Sequence, residues 1–302
     1  MQRFNQTTLR ANDLTFSALE QGSGPVVLCL HGFPDHPRTF RFQLPALAGA
    51  GFRAIAPSLR GYDPSSQPPD RDYHVVRMAE DVVGWIDDLG QDRVHLIGHD
   101  WGGVIGYAVC AMAPERFRSL TTLGIPHPGR LRRSGFLKHR YHLHNSWHML
   151  FFQLRGLADV AIELFDWALI EKFWRDWSPD WQLPDEEMAS LKRTLRRPGV
   201  KKAALGYYRA LFGLISRTSI ETRRLLKAKV PVPTLALTGA RDGCIDTLLH
   251  DELMLQEDFP AGLRVVRGEN AGHFPHQERP DDINRLLIDW LVRNSGRTTG
   301  SG

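Results

Sequence analysis

The 302-residue chain lacks the features that mark membrane-spanning and disulfide-rich proteins. It contains no run of 18 apolar residues, so we expect no transmembrane helix. Residues 1–6 include no apolar stretch of the kind found in secretory signals. The three cysteines are far apart in the sequence, and we expect Cys29, Cys110 and Cys244 to be reduced thiols. Together these absences favour a cytoplasmic location, and no internal repeat is present.

Charge is distributed unevenly, although the net charge of the whole chain is only +4. Residues 129–228 contain 19 Lys and Arg against 10 Asp and Glu, and five of the eight tryptophans lie in the same range. No nucleic-acid-binding motif accompanies these basic residues, which are interspersed with acidic ones. We therefore interpret them as a solvated helical surface and expect no nucleic-acid partner.

The same range interrupts a pattern of strand-like apolar runs. Such runs occur before and after it, whereas the range itself shows helical spacing without strand alternation. We predict an α/β fold with a mostly parallel, doubly wound sheet in residues 1–128 and 229–296, and an inserted helical cap at 129–228. Residues 230–233 are the predicted return linker, and the tail at 297–302 is predicted to be disordered.

An aspartate stands at the centre of the most informative motif. Residues 98–103 read Gly-His-Asp-Trp-Gly-Gly, between a strand-like run at 93–97 and a helix-compatible run at 104–112. This context is typical of a nucleophile elbow, where flanking glycines make room for a strained turn. A serine there forms an acyl-enzyme, whereas a carboxylate displaces a leaving group from saturated carbon. Asp100 thus indicates an epoxide or carbon–halogen substrate, unless it only caps the helix.

Two later strand ends carry the residues that a nucleophile needs as partners. Asp242 follows the run at 234–239, and His273 follows the run at 263–266. The chain order of nucleophile, acid and histidine is the one expected for the α/β-hydrolase fold. Asp246 is the competing acid, but Asp242 lies closer to the strand end, where the acid is expected.

An early turn supplies the expected oxyanion donors. His31-Gly32-Phe33-Pro34 follows the strand-like run at 25–30, and this position provides one backbone donor in such folds. We expect the backbone N–H groups of Phe33 and Trp101 to stabilise a tetrahedral intermediate, with His31 beside the same site.

These motifs resemble the epoxide hydrolase branch of the α/β-hydrolase superfamily, over nearly the whole chain from about Phe4 to Val292. The matching segments are 31–35, 98–103, 272–275 with Glu-Arg-Pro behind it, and 56–62, in which Ser58 replaces the usual aspartate. The resemblance implies hydrolysis of a small apolar epoxide to a vicinal diol. Asp100 would form an alkyl ester, and His273 would activate the water that cleaves it. It implies no cofactor, and a monomer or homodimer.

In the resembling family the cap contributes two tyrosines that protonate the opening ring. Leu205-Gly206-Tyr207-Tyr208-Arg209 resembles one of the two cap segments and places one donor at Tyr208. The other segment resembles residues 148–152, where His148 stands in the tyrosine position. An imidazole can also donate a hydrogen bond. The alternatives are that Tyr207 and Tyr208 only pack at the domain seam, and that His148 is a surface histidine.

Three other functions remain open. In a haloalkane dehalogenase Asp100 would displace halide and the Trp101 indole would hold it, but the Phe33 side chain cannot be the usual second donor. Fluoroacetate dehalogenases need arginines beside the nucleophile, where this chain has Trp101 and Val104. A non-catalytic binding protein of the same fold would be expected to lack part of the triad. The histidines at positions 139, 142, 144 and 148 fit no zinc-site spacing, so we expect no metal.

Overall fold

An eight-stranded sheet forms the centre of the protein, in a computed structural model that describes residues 4–131, 147–213 and 215–296. The strand order is β1-β2-β4-β3-β5-β6-β7-β8. The strands are β1 (Asn5–Ala11), β2 (Leu14–Gly22), β3 (Val26–Leu30), β4 (Arg53–Pro57), β5 (Val94–His99), β6 (Phe117–Leu123), β7 (Thr234–Gly239) and β8 (Leu263–Gly268).

The sheet is parallel from β3 to β8, and only the pairings of β2 with β1 and with β4 are antiparallel. The predicted α/β class and mostly parallel sheet are therefore confirmed. The central strands β3, β5 and β7 are buried along their whole length, as expected of parallel strands covered on both faces. Their apolar sequences account for this burial.

Helices cover both faces of the sheet. They are α1 (Gln43–Gly49), α2 (Val75–Asp88), α3 (Trp101–Met112), α4 (Pro128–Leu131), α5 (Trp147–Phe151), α6 (Leu157–Ala161), α7 (Leu164–Trp177), α8 (Asp185–Arg196), α9 (Val200–Leu211), α10 (Arg217–Leu225), α11 (Thr247–Leu253), α12 (Pro275–Glu278) and α13 (Pro280–Arg293). Single 3-10 turns occur at Pro37–Phe40, Pro64–Ser66, Pro114–Arg116 and Gln256–Asp258.

Alternate residues of β3 separate two hydrophobic cores. Val26 and Leu28 face a core shared with α2, α3 and the helices that follow β6. Val27 and Cys29 face a second core shared with α1 and α13. This alternation is the ordinary period of two residues in a strand, and it produces a three-layer arrangement of helix, sheet and helix.

Between β6 and β7, the described residues form helices and turns and no strand, in agreement with the helical character predicted for this part of the sequence. We call this segment, α4 to α10, the insert. The exact domain boundaries, the cap at 129–228 included, stay a prediction. The histidines at 139, 142 and 144 and the tail at 297–302 lie outside the described residues.

Two composition-based expectations concern thiols and membranes. All three cysteines are buried and none forms a disulfide. None of the helices within the described ranges combines the length and apolarity that a membrane crossing requires.

The carboxyl ends of the parallel strands gather the predicted functional residues at one edge of the sheet. His31 follows β3, Asp100 follows β5, Asp242 comes after β7, and His273 comes after β8. Open α/β sheets bind ligands at this edge. The fold therefore brings together residues that are up to 242 positions apart in the sequence.

The first turn of α3 packs directly on the end of β3. A Cβ atom added to Gly102 would lie 2.1 Å from the Leu30 carbonyl oxygen, a contact that no side chain tolerates. Glycine at this position thus allows α3 to start where it directs Asp100 toward the edge of the sheet.

We predict that Gly102→Ala lowers the free energy of unfolding by about 1–3 kcal/mol, because an overpacked backbone contact forces the helix away from the strand. The matched control is Gly49→Ala in α1, since no heavy atom lies within 4 Å of its added Cβ. Chemical denaturation of both variants tests this. Equal stabilities of the two variants would show that the α3–β3 contact imposes no constraint.

Candidate active site

Asp100 lies at the turn between β5 and α3 in a backbone conformation that residues other than glycine rarely adopt. Its φ of 50° and ψ of −117° lie outside the main allowed regions. Backbone N–H groups of Gly103 and Val104 hold the turn by donating to the Asp100 carbonyl oxygen. Asp100 occupies the N-cap position of α3, but its side chain makes no capping hydrogen bond. The alternative interpretation, in which Asp100 only caps the helix, is therefore wrong.

The Asp100 carboxylate instead faces the turn after β3. The Phe33 backbone N–H donates to Asp100 Oδ1 at 2.8 Å. This approach depends on Gly32, because a Cβ atom there would lie 2.4 Å from Asp100 Cβ. The Phe33 N–H is thus positioned at the nucleophile, where an oxyanion donor is expected. The matching role of the Trp101 N–H stays a prediction.

Asp242 and His273 form a buried hydrogen-bonded pair. The His273 Nδ1 atom lies 2.9 Å from Asp242 Oδ2, and both side chains are fully buried. The other oxygen, Oδ1, accepts from the backbone N–H groups of Cys244 and Ile245 at 2.8 and 2.9 Å. Asp246, the competing acid, caps α11 through the Leu248 N–H. The structure therefore brings Asp242, and not Asp246, to the histidine.

The second ring nitrogen of His273 faces the nucleophile. Its Nε2 atom lies 3.7 Å from Asp100 Oδ2, too far for a hydrogen bond but close enough for charge attraction. Burial favours the neutral ring, but the charges of Asp242 and Asp100 outweigh it and raise the pKa of His273 to about 10. The resting protein thus holds an imidazolium between two carboxylates.

The carboxyl group of Asp100 is ionised for the reciprocal reason. Burial alone would raise the pKa of Asp100. This effect is outweighed by three groups that lower the pKa below its usual range, namely the ring of His273, the ring of His99 and the Phe33 N–H. An ionised carboxylate, directed by a strained turn toward the edge of the sheet, is a competent nucleophile for saturated carbon.

Tyr208 extends from α9 of the insert toward this carboxylate. Its buried ring makes edge-to-face contacts with Phe33 and Trp101, at centroid distances of 5.2 and 5.1 Å. Burial and the nearby charge of Asp100 raise the pKa of Tyr208 well above its usual value. They outweigh the Trp101 side chain, which acts to lower it. Tyr208 is therefore a protonated hydroxyl close to the nucleophile.

His148, on α5, is buried and not a surface residue. Its ring lies 5.6 Å from the Tyr208 ring and 5.2 Å from the Trp177 ring, measured between centroids. The structure thus brings together the two insert residues that the sequence proposed as a pair of proton donors. The interpretation of His148 as a surface histidine is wrong.

His31 uses both ring nitrogens inside the protein. Nδ1 lies 2.9 Å from the Gly32 carbonyl oxygen, and Nε2 accepts from the Leu59 N–H at 3.1 Å. Burial lowers the pKa of His31 to about 4, so the ring is neutral. His31 therefore supports the turn that carries Phe33, and a direct contact with substrate stays a prediction.

Three residues that contact the triad loops have no role that the sequence alone predicts, namely Trp177, Ser178 and Glu278. The Ser178 hydroxyl accepts a hydrogen bond from the His273 N–H and donates one to the Glu278 carboxylate. Glu278 also accepts from the backbone N–H groups on either side of His273. The signal in the sequence is a glycine beside each of Asp242 and His273, namely Gly243 and Gly272. A glycine shows that something approaches closely, but not what approaches.

Among the described residues, Asp35, His99 and His276 form a buried group whose ligand-type atoms lie within 4.8 Å of one another. Both histidine Nδ1 atoms lack a hydrogen-bond partner. However, both Asp35 oxygens already accept hydrogen bonds, and the charges of Arg41 and His273 act on this group. His99 Nε2 lies 2.9 Å from the His273 carbonyl oxygen. The group is thus better suited to supporting His273 than to holding a divalent cation.

Comparison with known proteins gives consistent matches along the whole chain. A family model described as the alpha/beta hydrolase fold matches residues 25–280. The chain is similar to Epoxide hydrolase 2 of Siraitia grosvenorii, with 31% identity over 97% of this chain and 100% of that protein.

Solved structures show the same similarity in three dimensions. Epoxide Hydrolase A from Mycobacterium thermoresistibile is 26% identical, with a TM-score of 0.82 over 96% of this chain and 98% of that one. An epoxide hydrolase from Vigna radiata is also 26% identical, with a TM-score of 0.80 over 97% of this chain and 99% of that one.

We predict that Asp242→Asn lowers the pKa of His273, because the larger of the two carboxylate contributions that raise it to about 10 is removed. The measurement is an NMR titration of the His273 imidazole, with Asp246→Asn as the matched control.

A proton held with a raised pKa stabilises the fold fully below pH 6.5, and this stabilisation is lost as the pH rises through about 10. The decline in unfolding free energy over that range should therefore be smaller in Asp242→Asn. An unchanged titration of His273 would contradict this account.

Proposed function

The chain belongs to the epoxide hydrolase branch of the alpha/beta hydrolase family, and on this premise we propose that it hydrolyses small apolar epoxides to vicinal diols through a covalent ester on Asp100. One observation carries this proposal. The carboxylate of Asp100 lies between the Phe33 N–H and the Asp242–His273 pair, at the turn where related folds carry their nucleophile.

In the first half-reaction an Asp100 oxygen attacks an epoxide carbon, and the carbon–oxygen bond of the ring breaks. The product is a hydroxyalkyl ester of Asp100 once the ring oxygen takes a proton. A free alkoxide is a poor leaving group, so this step needs an acid on the side opposite the nucleophile. Tyr208 is the proposed acid, and His148 is its proposed partner in binding the ring oxygen.

The environment of Tyr208 is suited to this task. Burial among aromatic rings, those of Phe33 and Trp101 included, raises the pKa of the Tyr208 hydroxyl and so keeps it protonated until the ring opens. The site also favours epoxide opening over halide displacement, because the Phe33 side chain beside Tyr208 cannot donate a hydrogen bond to a halide.

In the second half-reaction water cleaves the ester. Formation of the ester removes the charge of Asp100, which is one of the two charges that raise the pKa of His273. His273 can then pass its proton to the tyrosinate and act as a neutral base through Nε2. Water adds to the ester carbonyl while its proton goes to His273, and the Phe33 N–H stabilises the oxyanion. Collapse releases the diol, protonated by His273, and leaves Asp100 as a carboxylic acid. Transfer of that proton to His273 restores the ionised carboxylate and the imidazolium.

The two half-reactions separate in a variant that lacks the base. His273→Gln should form the ester but not cleave it, so that alkyl-enzyme accumulates and is visible by intact mass. With styrene oxide the added mass should equal that of the whole epoxide, whereas a haloalkane or haloacetate would add its carbon group without the halogen. Asp100→Ala combined with His273→Gln is the control and should gain no mass.

The source of the oxygen provides the decisive outcome. In a single turnover in ¹⁸O water the label should enter the Asp100 carboxylate and be absent from the first diol, because water attacks the ester carbonyl. Label in that first diol would contradict the covalent mechanism. Halide release without styrene oxide turnover would instead assign the site to a dehalogenase.

Tyr208→Phe should slow ester formation by about 10²–10⁴-fold, the usual contribution of a positioned acid. Tyr207→Phe is a matched control, because the Tyr207 hydroxyl donates to the Arg60 carbonyl oxygen at 2.6 Å and not to the site. Stopped-flow fluorescence follows ester formation in both variants, and in Tyr208→Phe combined with His148→Gln, which should be slower still. Equal rates for Tyr208→Phe and Tyr207→Phe would remove Tyr208 from the mechanism.

A further inference from the structure

The C-terminal end of α7 joins both loops that carry the acid and the base. The Trp177 carbonyl oxygen accepts from the Gly243 N–H and from the His273 N–H, each at 3.0 Å. Gly243 directly follows Asp242 in the sequence. One carbonyl of the insert therefore ties together the backbones of the two triad loops.

Ser178 adds a side-chain contact at the same place. Its fully buried hydroxyl donates to Glu278 Oε1 at 2.6 Å. It also accepts from the His273 N–H at 3.1 Å, so that this N–H is shared between Ser178 and the Trp177 carbonyl oxygen. Glu278 also accepts from the N–H groups of Gly272 and Phe274, at 2.7 and 3.0 Å. Ser178 and Glu278 thus accept hydrogen bonds from the backbone N–H groups of three consecutive residues, Gly272, His273 and Phe274.

Both loops are shaped to admit this helix end. A Cβ atom added to Gly243 would lie 2.0 Å from the Asp176 carbonyl oxygen, and one added to Gly272 would lie 2.7 Å from Ser178 Cα. Neither position has space for a methyl group. The two glycines next to the triad residues are therefore explained by the approach of α7.

The same helix also contacts the turn of the oxyanion donor. The Trp174 indole N–H donates to the Pro34 carbonyl oxygen at 2.9 Å. The Trp174 ring stacks on Phe274, with centroids 3.6 Å apart and planes inclined by 6°. Three loops of the site thus rest on one helix of the insert.

We propose that Ser178 is a positioning residue that fixes the direction of the His273 ring by holding its backbone. The His273 imidazole makes a hydrogen bond at Nδ1 and faces Asp100 at Nε2, so a rotation of its backbone would weaken the first and misdirect the second. Ser178 contacts no reacting atom and acts through His273. The inference rests on the proposed function only in assigning His273 as the base.

The test compares Ser178→Ala with Ser190→Ala, a matched change of a buried serine in α8. The hydrogen bond at Ser190 runs from the Thr194 hydroxyl to the Ser190 carbonyl oxygen, and the control leaves it intact. The first readout is the low-field NMR resonance of the His273 Nδ1 proton in the free protein, assigned by its loss in His273→Gln. Ser178→Ala should shift this resonance, increase its exchange with water and lower the pKa of the ring.

The second readout is kinetic, with styrene oxide as substrate. Ser178→Ala should slow ester hydrolysis by about tenfold, the factor that corresponds to the net contribution of one hydrogen bond. Ester formation should change by less than about twofold, because that step does not use His273 as a base. Alkyl-enzyme should therefore accumulate in the steady state, and it should not accumulate in Ser190→Ala.

Thermal unfolding checks that each variant is folded. If Ser178→Ala is not folded, Ser178→Cys provides a slightly larger side chain with a weaker donor and should show the same changes at smaller size. An unaltered Nδ1 resonance in a folded Ser178 variant overturns the proposal, as do equal changes in Ser190→Ala. If the unmodified protein opens no epoxide, the proposed function fails, while the NMR comparison still decides the role of Ser178.

Discussion

Asp100, His273 and Asp242 place two negative charges and one positive charge inside the protein, and the surrounding structure has to compensate for their removal from water. Isolated buried charges are very unfavourable unless they are paired and hydrogen-bonded. Here each carboxylate receives backbone N–H donors, from Phe33 for the nucleophile and from Cys244 and its neighbour for the acid. The strained turn, the glycine contacts and the insert all serve to bring those donors within reach.

Much of the core could be predicted from the sequence because each functional residue comes soon after a strand-like run. Such runs become strands of the parallel part of the sheet, and parallel strands place their carboxyl ends at one edge. The order of Asp100, Asp242 and His273 therefore implied that they meet. Asp242 could be preferred over Asp246 by its distance from Gly239, and the structure gives the physical reason, since Asp246 is used as a helix cap.

The contribution of the insert could not be predicted in the same way. Ser178 meets His273 across 95 positions of sequence, and no local pattern in a helix end specifies such a partner. A glycine such as Gly243 or Gly272 is compatible with a close approach, but it carries no information about the approaching group. His148 was ambiguous for a related reason, because its burial depends on the packing of α5 against rings from two other helices, α7 and α9.

Cys244 donates its backbone N–H to the acid and lies near the nucleophile, and its side chain belongs to the residue type that epoxides alkylate most readily. The reactive form of a cysteine is the thiolate. Burial, together with the charges of Asp242 and Asp100, raises the pKa of Cys244 well above its usual value. Burial and the two carboxylates of the site thus keep a neighbouring sulfur in its protonated, unreactive form. An enzyme that handles electrophiles is in this way protected from self-inactivation by its own substrate.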